Sequence, residues 1–342
     1  MKNHPCSKLL TLLLIGCVLA VFADSTRAAD KLRVGGAVYG LKAEFANLWA
    51  AALKKHPSVK DGSVELTIFD GRYDPLVQNN QIATMITQKF DGIVLSPVDF
   101  HGSAPQIKKA AKANIPVVVS NARVNSPDIT SMVLSDDVKG GEIIMEEAAK
   151  RMGGKGNIVI FQGPIGHSAE IDRSKGIQNV LEKYPDIKVL EKKTANWSRA
   201  EGLALMENWL TAHPNEIKGV IGENDEMALG AIQAIKGRGL NVKDFVVVGI
   251  DGVPDAINAV KAGEMFSILQ DAEGQAAGAL DVALRAKLGD SYQPKAAVWK
   301  QYEKEMPWND GKEKAYFIPW TVITAENADE IIKHQKDLIS GS

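Results

Sequence analysis

Cysteine is almost absent from this 342-residue sequence, and its scarcity excludes several kinds of chemistry. The two cysteines, Cys6 and Cys17, both lie close to the N-terminus. A chain from which that segment has been removed contains no thiol, so it can form no disulfide, no thiolate metal site and no cysteine nucleophile. Function must then depend on other side chains.

Dense positive charge is also missing. The formal net charge is −2 and the isoelectric point is near 6.3. No run of Lys and Arg is long enough to follow a phosphate backbone, as nucleic-acid binding would require. We therefore expect no nucleic-acid partner.

Motifs for catalysis and for metal or cofactor binding are scarce. The segment 153–157 lacks the spacing and the hydroxyl of a phosphate-binding P-loop, and no Gly-x-Ser-x-Gly nucleophile motif occurs. We expect no enzymatic activity, no metal and no cofactor. The scattered histidines form no His-Glu-x-x-His pair and are expected at the surface or in loops; they are His56, His101, His167, His213 and His334.

Long apolar runs are limited to the N-terminus, where two lysines precede an apolar run at residues 9–22. This run falls short of the roughly 20 apolar residues of a membrane-spanning helix, and small residues follow it. The pattern predicts a signal peptide over residues 1–28, cleaved after Ala28 or else Ala29, and a soluble periplasmic protein. Lipid attachment at Cys17 is an alternative, but the apolar residues after that cysteine disfavour it.

From Leu32 onward, short runs rich in β-branched residues alternate with longer amphipathic runs. This alternation is typical of parallel sheets with helices on both faces, so we predict an α/β fold. Periodicity alone leaves open whether the strands form one large sheet or two smaller ones. The predicted strands are 32–38, 64–69, 92–96, 115–120, 131–134, 157–162, 187–191, 219–222, 245–250 and 267–270, and the main predicted helices are 45–55, 75–87, 103–113, 141–151, 171–183 and 199–212.

The C-terminal part is less regular. Residues 294–314 are predicted to be an insertion or a long loop before a short strand at 316–322. Thr324 is the predicted N-cap of a closing helix that runs to Ile339. Polar or glycine-containing loops follow many of the earlier strands, and ligands of open α/β sheets bind at such strand ends.

Several segments resemble the family of periplasmic ribose-binding proteins, in the same order and at similar spacing. They include Ser135–Gly141 (SDDVKGG), Glu223–Ala231 (ENDEMALGA) and Val247–Asp255 (VVGIDGVPD). The resemblance extends from about Lys31 to about Gly289. Several motifs in register rarely coincide, so the resemblance is specific for the family and less so for the ligand.

The resemblance implies two similar three-layer lobes joined by a hinge of three crossing segments, which favours two sheets over one. The first lobe would comprise residues 31–134 and 271–317, and the second residues 135–270 and 318–342. The ligand would bind in the cleft between them. The resemblance further implies a monomer that closes on a small sugar or sugar alcohol and delivers it to the permease of an ABC transporter.

The resemblance also implies a set of ligand-binding residues. Aromatic side chains stack on the apolar faces of a sugar, and charged or amide side chains bind its hydroxyls. The positions that match the family's sugar contacts are Phe45, Arg173, Trp197, Asn224, Asp251 and Gln270, to which Asn121 is added at an altered position, while Tyr39, Lys42, Asp70, Asp99 and Arg123 are second-rank candidates near strand ends.

These residues have alternative structural roles. Phe45 could belong to the core, and Arg173 could pair with a carboxylate on its own helix. Asp251 could be an ordinary turn residue. Asn224 and Asp225 could be turn residues or an N-cap for the helix beginning near Met227, and Asp225 is the expected cap. The sequence alone leaves these alternatives open.

The segment Asn121-Ala122-Arg123 departs from the family, in which an Asp-Arg pair clamps ring hydroxyls. Ala122 cannot bind a hydroxyl, and Arg123 could face away from the cleft. We therefore expect a neutral polyol or a monosaccharide other than ribose, with a linear sugar alcohol ahead of a ring sugar.

Other functions remain open. Sugar-responsive repressors share this core, but they need a DNA-binding helix-turn-helix ahead of it, where this chain has the predicted signal peptide. An exported sugar-modifying enzyme would need an acid–base pair at the cleft. A sensory role would use the same closed form as transport.

Overall fold

The alternating runs of the sequence fold into two separate sheets, each covered by helices on both faces. The computed structural model describes residues 31–340. The predicted signal peptide and the alternative lipid site at Cys17 lie outside the described residues. Two three-layer lobes are therefore formed, and the expectation of two sheets rather than one is confirmed.

The first sheet has six strands, all of which pair in parallel. Its spatial order reverses between β3 and β1, so a crevice opens beyond their carboxyl ends, where ligands of open sheets bind. From one edge to the other the strands are β11 (Ala315–Phe317), β5 (Ser131–Leu134), β4 (Val117–Ser120), β3 (Gly92–Leu95), β1 (Leu32–Val38) and β2 (Val64–Asp70).

The second sheet repeats this arrangement with one difference, because its edge strand β12 pairs antiparallel with β10. The order reverses again, here between β8 and β6. From one edge to the other the strands are β12 (Thr321–Val322), β10 (Phe266–Leu269), β9 (Val246–Asp251), β8 (Ile217–Gly222), β6 (Gly156–Gln162) and β7 (Ile187–Thr194).

Most helices follow a strand and return the chain to the start of the next one. Among residues 31–340, no helix is long and apolar enough to cross a membrane. The helices are α1 (Glu44–Lys55), α2 (Pro57–Lys60), α3 (Pro75–Thr87), α4 (Ala104–Lys112), α5 (Asp137–Arg151), α6 (Ser168–Leu181), α7 (Arg199–Ala212), α8 (Asp225–Gly237), α9 (Pro254–Lys261), α10 (Ala272–Leu288), α11 (Val298–Gln301) and α12 (Ala328–Ile339), with 3₁₀ turns at Val242–Asp244 and Asn309–Gly311.

The chain passes between the sheets three times: after β5, after β10 and between β11 and β12. The prediction of a single strand at 316–322 is wrong, because residues 318–320 separate two short strands that belong to different sheets. The proposed lobe boundaries at these crossings stay a prediction.

Two further predictions about the C-terminal part need correction or detail. The closing helix α12 begins at Ala328, and the Asn327 side chain accepts a hydrogen bond from the Thr324 backbone, so Thr324 is not its N-cap. Residues 294–314 contain α11 and a 3₁₀ turn rather than a plain loop. They are held to α10 through Asp281, which is discussed below.

Candidate functional site

Polar and aromatic side chains from both lobes meet around a cavity between the carboxyl ends of the two sheets. The cavity is narrow in this arrangement of the lobes and encloses about 20 Å³. It is lined by Tyr39, Phe45, Asn121, His167, Ala169, Arg173, Trp197, Asn224, Asp251 and Gln270.

All seven first-rank residues predicted from the sequence lie around this cavity. Strand ends explain why for four of them: Asn121, Asn224, Asp251 and Gln270 each lie at the end of a strand or within two residues of it. Their role in binding a ligand stays a prediction. Of the five second-rank candidates, only Tyr39 lines the cavity.

Arg173 is the buried cation of the site. Its Nε donates to Asp137 Oδ1 over 2.8 Å, its Nη1 donates to the Glu223 carbonyl over 2.6 Å, and its Nη2 donates to Gln270 Oε1 over 3.0 Å. Nη1 also lies 3.6 Å from Asp251 Oδ1. The alternative that Arg173 pairs with a carboxylate on its own helix is therefore wrong, because its charged partners come from α5 and β9.

Asp251 is a buried carboxylate at the end of β9 with a strained backbone. Its φ is +127°, a region that L-residues rarely occupy and that is found mostly at functional sites. Burial raises the pKa of Asp251 well above its ordinary value, and the neighbouring Arg173 guanidinium opposes that rise. A carboxyl held this close to one guanidinium is well placed to accept hydrogen bonds from ligand hydroxyls.

Asn224 is the N-cap of α8, since its Oδ1 accepts a hydrogen bond from the Met227 backbone over 3.0 Å. The expectation that Asp225 is the cap is wrong. Asp225 lies one residue further on, where its buried carboxylate accepts hydrogen bonds from the backbones of Gly252 and Val253 and from the Ser267 hydroxyl. Asp225 thereby fixes the loop that follows Asp251.

Aromatic rings form the apolar walls. Phe45 and Tyr39 come from the first lobe and Trp197 from the second, and all three are buried. Trp197 has a φ of +58°, and its indole packs so closely on Gly163 that a Cβ there would lie 2.0 Å from the ring. Gly163 therefore has to be glycine for Trp197 to line the cavity.

His167 is the lining residue that sequence reasoning missed. The histidines were expected at the surface or in loops, and His56 and His167 do lie in loops, but both are buried. His167 precedes α6 and is packed edge-on between two rings, 5.6 Å from Tyr39 and 5.8 Å from Trp197 between ring centroids. Its position after β6 at the same sheet edge as Asp251 was a usable signal, since ligands bind at such strand ends.

The other second-rank candidates have different contacts. Asp70 accepts hydrogen bonds from the Leu41 and Arg72 backbones, and Asp99 accepts them from the loop at 101–102. Lys42 lines a separate groove at the cleft rim. These three residues shape loops or the rim and do not reach the cavity.

Arg123 connects the two lobes instead of lining the cavity. Its guanidinium forms a bidentate pair with Asp172 on α6, with N–O distances of 2.8 and 2.7 Å, and its backbone donates to the Ser168 hydroxyl over 2.6 Å. Beside this pair the Phe100 backbone donates to the Gly166 carbonyl over 2.9 Å. The lobes are thus in contact in front of the cavity.

The rim groove carries a cluster of carboxylates from both lobes. Arg199 binds Glu226 through two hydrogen bonds of 2.9 Å and Asp255 through one of 2.7 Å, all within the second lobe. Glu44 at the start of α1 faces this cluster from the first lobe. Partial burial, followed by the approach of Glu226 and Asp255, raises the pKa of Glu44 to about 7.

The described residues contain no cluster of metal-ligating side chains. Over residues 31–340, His, Cys, Asp and Glu side chains form no group of three or more that could hold a metal ion. The cavity's charged groups are instead paired with one another.

Comparison with known proteins places this geometry among sugar- and polyol-binding proteins. The xylitol-binding protein of Mycolicibacterium smegmatis is 36% identical over 321 residues, which cover 94% of this chain and 85% of the relative. The ribose import binding protein of Salmonella typhimurium is 31% identical over 250 residues, which cover 70% of this chain and 83% of the relative.

Solved structures and a family model indicate the same family as these relatives. An ABC transporter solute binding protein from Bacillus halodurans C-125 with bound myo-inositol superposes with a TM-score of 0.77 at 30% identity, covering 89% of this chain and 98% of that chain. Residues 37–291 match the family model described as a periplasmic binding protein domain. With both lobes, their crossings and the cleft in place, the chain belongs to the periplasmic binding protein family.

Proposed function

We propose that this protein is the exported solute-binding protein of an ABC transporter, and that it binds a neutral sugar or sugar alcohol between its lobes. The observation that carries the proposal is the cavity itself. It is walled by three aromatic rings and by buried hydrogen-bonding groups from both lobes. This combination matches the apolar faces and the many hydroxyls of a small polyhydroxylated molecule.

The charges of the site support a neutral ligand. The Arg173 guanidinium is matched by the carboxyls of Asp137 and Asp251 at 2.8 and 3.6 Å. Arg173 therefore already has carboxyl partners within the protein. An anionic ligand would add a further negative charge beside two buried carboxyls, so a neutral ligand is favoured over an anionic one.

The altered segment after β4 supports a polyol over ribose. Asn121 lines the cavity, whereas Ala122 is a buried core residue and Arg123 points to Asp172. No Asp-Arg clamp is therefore formed there by residues of the described chain. The xylitol-binding protein is more similar to this chain than the ribose import binding protein is, at 36% against 31% identity, and the Bacillus halodurans structure contains myo-inositol.

The proposed role is delivery without chemistry. The relatives are named as binding or import binding proteins, which supports a permease as the partner and argues against catalysis. We propose a monomer that acts in the periplasm after removal of residues 1–28, with lipid attachment at Cys17 as the alternative. Intact-mass measurement on protein from its host decides between these two forms.

A ligand panel tests the proposed function. Thermal-shift and calorimetric titrations would compare xylitol, ribitol, sorbitol, myo-inositol, D-ribose, D-galactose and L-glutamate. We expect a polyol to give the largest shift, and to be recovered unchanged after incubation. Ribose giving the largest shift would refute the polyol preference, glutamate would overturn the solute class, and turnover of the solute would favour an enzyme.

A further inference from the structure

Hydrogen bonds within the protein determine which atoms of the cavity's amide side chains face a ligand. Asn224 Oδ1 accepts from the Met227 backbone, and Gln270 Oε1 accepts from Arg173. A backbone N–H and a guanidinium can only donate, so the amide oxygens are held on the protein side. The amide nitrogens are left for the cavity, and within residues 31–340 Gln270 Nε2 is buried without any partner.

His167 is held in the same way. Its Nδ1 accepts a hydrogen bond from the Ala169 backbone over 3.2 Å, so Nδ1 cannot carry the proton of the neutral ring. The proton then lies on Nε2. Nε2 is buried, and no group among the described residues accepts a hydrogen bond from it.

The environment of His167 keeps the ring neutral. Burial, and secondarily the positive charge of Arg173, lower its pKa to about 3. The ring is wedged edge-on between Tyr39 of one lobe and Trp197 of the other, and it is only 4% exposed. Leaving a buried donor without an acceptor is costly, which makes a bound acceptor the expected partner of Nε2.

We propose that His167 is a specificity-determining residue of the cavity, whose Nε2–H donates to an oxygen of the bound solute beside a second donor, Gln270 Nε2. The inference rests on the proposed function and refines it. The solute must offer oxygen lone pairs to both donors, while Asp251 accepts from its hydroxyls. A solute ammonium group at this position could not accept a hydrogen bond from His167 Nε2–H, because an ammonium has no lone pair. Solutes with a hydroxyl at this position are therefore favoured over solutes with an amine.

Two substitutions separate the hydrogen bond from the packing. His167→Phe removes the donor but keeps a planar ring between Tyr39 and Trp197, whereas His167→Gln retains an N–H donor. The control pair is His213→Phe and His213→Gln, because His213 is bonded to Glu191 on the second lobe, away from the cavity. The probes are xylitol, myo-inositol and D-ribose, titrated by calorimetry at pH 7.

Because His167→Phe removes one hydrogen bond to the solute, we expect it to lower the affinity for the probe that binds by at least about threefold. His167→Gln should retain more of the affinity. Both His213 variants should bind like the unsubstituted protein. A change below threefold in His167→Phe, for every probe that binds, would overturn the inference and leave the proposed function standing. If none of the three probes binds the unsubstituted protein, the panel sugar or polyol that does bind replaces them; if no sugar or polyol of the panel binds, the proposed function and the inference fail together.

Nitrogen NMR of ¹⁵N-histidine-labelled protein supplies a readout that packing alone would not move. With the binding probe at saturation and pH 6, His167 should give the spectrum of a neutral ring protonated at Nε2, and the Nε2 resonance should differ from that of the probe-free protein. A bound form with the ring protonated at Nδ1 or charged, or an Nε2 resonance unmoved by the probe, would each overturn the inference.

Discussion

At the scale of single residues, Arg173 serves the site mainly by holding other groups in place. Three of its hydrogen bonds go to the protein, and its charge is what allows Asp137 and Asp251 to share one buried space. The bond to Gln270 also decides which end of that amide faces the cavity. The polarity of the site therefore depends on the fork shape of the guanidinium as well as on its charge, and we expect the same of ligand binding.

Arg173→Lys tests this dependence. A lysine keeps the charge, but its single ammonium cannot bind Asp137, the Glu223 carbonyl and Gln270 together. We expect xylitol, or whichever panel polyol binds, to lose at least about tenfold in affinity by calorimetry, since hydrogen bonds to charged groups contribute about 1.5–3 kcal/mol. Arg151→Lys, on the outer face of α5 beside Glu147, is the control and should bind normally.

Circular dichroism should show that the Arg173→Lys variant is folded. Affinity within twofold of the unsubstituted protein, in a folded variant, would mean that the fork geometry does not matter.

The residues that line the cavity were predictable where a strand end coincides with a position that matches the family, as for Asp251 and Asn224. His167 also follows a strand, but no family position marked it, and a lone histidine in a sequence reveals neither its burial nor its tautomer. The sequence indicated that Arg123 could face away from the cleft, but it did not indicate the partner of Arg123. Its partner Asp172 lies on a helix of the other lobe, and only the closed arrangement of the two lobes brings them together.

At the scale of elements, the loops after β3 and β4 and the segment that leads into α6 form a latch across the cleft. It consists of the Arg123–Asp172 pair, with the hydrogen bonds from the Arg123 backbone to Ser168 and from the Phe100 backbone to Gly166. The two loops belong to the first lobe and the segment to the second, so opening the cleft must break these contacts. The latch should therefore slow ligand release more than it affects ligand capture.

Arg123→Ala should raise the dissociation rate of the bound polyol by roughly two- to fivefold, because partly exposed ion pairs contribute about 0.2–1 kcal/mol. Stopped-flow tryptophan fluorescence would measure the rate. The charge exchange Arg123→Asp with Asp172→Arg should recover part of the loss. Lys183→Ala removes an exposed pair with Glu146 inside the second lobe and should leave the rate unchanged; an unchanged rate in Arg123→Ala would show that the pair is not a latch.

Elements with strong periodicity were predictable, and the C-terminal part was not. The strands β11 and β12 have three and two residues, so their pairing is set by neighbouring strands rather than by their own sequence. Residues 294–314 are fixed by a buried carboxylate on α10, Asp281, which accepts from the Lys295 and Ala296 backbones and from Trp299 Nε1. A single aspartate in an apolar helix gives no sign of such partners.

At the scale of the whole molecule, the rim cluster links lobe closure to pH. Closure brings Glu44 of the first lobe towards Glu226 and Asp255 of the second, while Arg199 is already bonded to both of these carboxylates. Lys42 and Lys54 line the same groove. In an open form Glu44 would lose its two carboxylate neighbours and face water, so its pKa would return towards the ordinary value of 4.5.

The sign of the effect follows from this difference. A carboxyl whose pKa is higher in the closed form binds protons more readily there, so closure is favoured at low pH and loses that advantage as the pH rises. The pKa of Glu44 is about 7 in the closed form, so the loss should develop between pH about 4.5 and 7 and level off above that range. Ligand affinity, which requires closure, should fall over the same window.

Calorimetric titration of the unsubstituted protein with xylitol, or with the panel polyol that binds, should therefore give an affinity that decreases from pH 5 to pH 8. Titrations at pH 6 in buffers of different ionisation enthalpy should show uptake of a fraction of one proton on binding.

Glu44→Gln should flatten the pH profile and bind more tightly than the unsubstituted protein at pH 8, because a neutral amide faces Glu226 without repulsion. Glu65→Gln, on the exposed side of β2, is the matched control and should retain the original profile. A Glu44→Gln profile as steep as that of the unsubstituted protein would assign the pH dependence to another group.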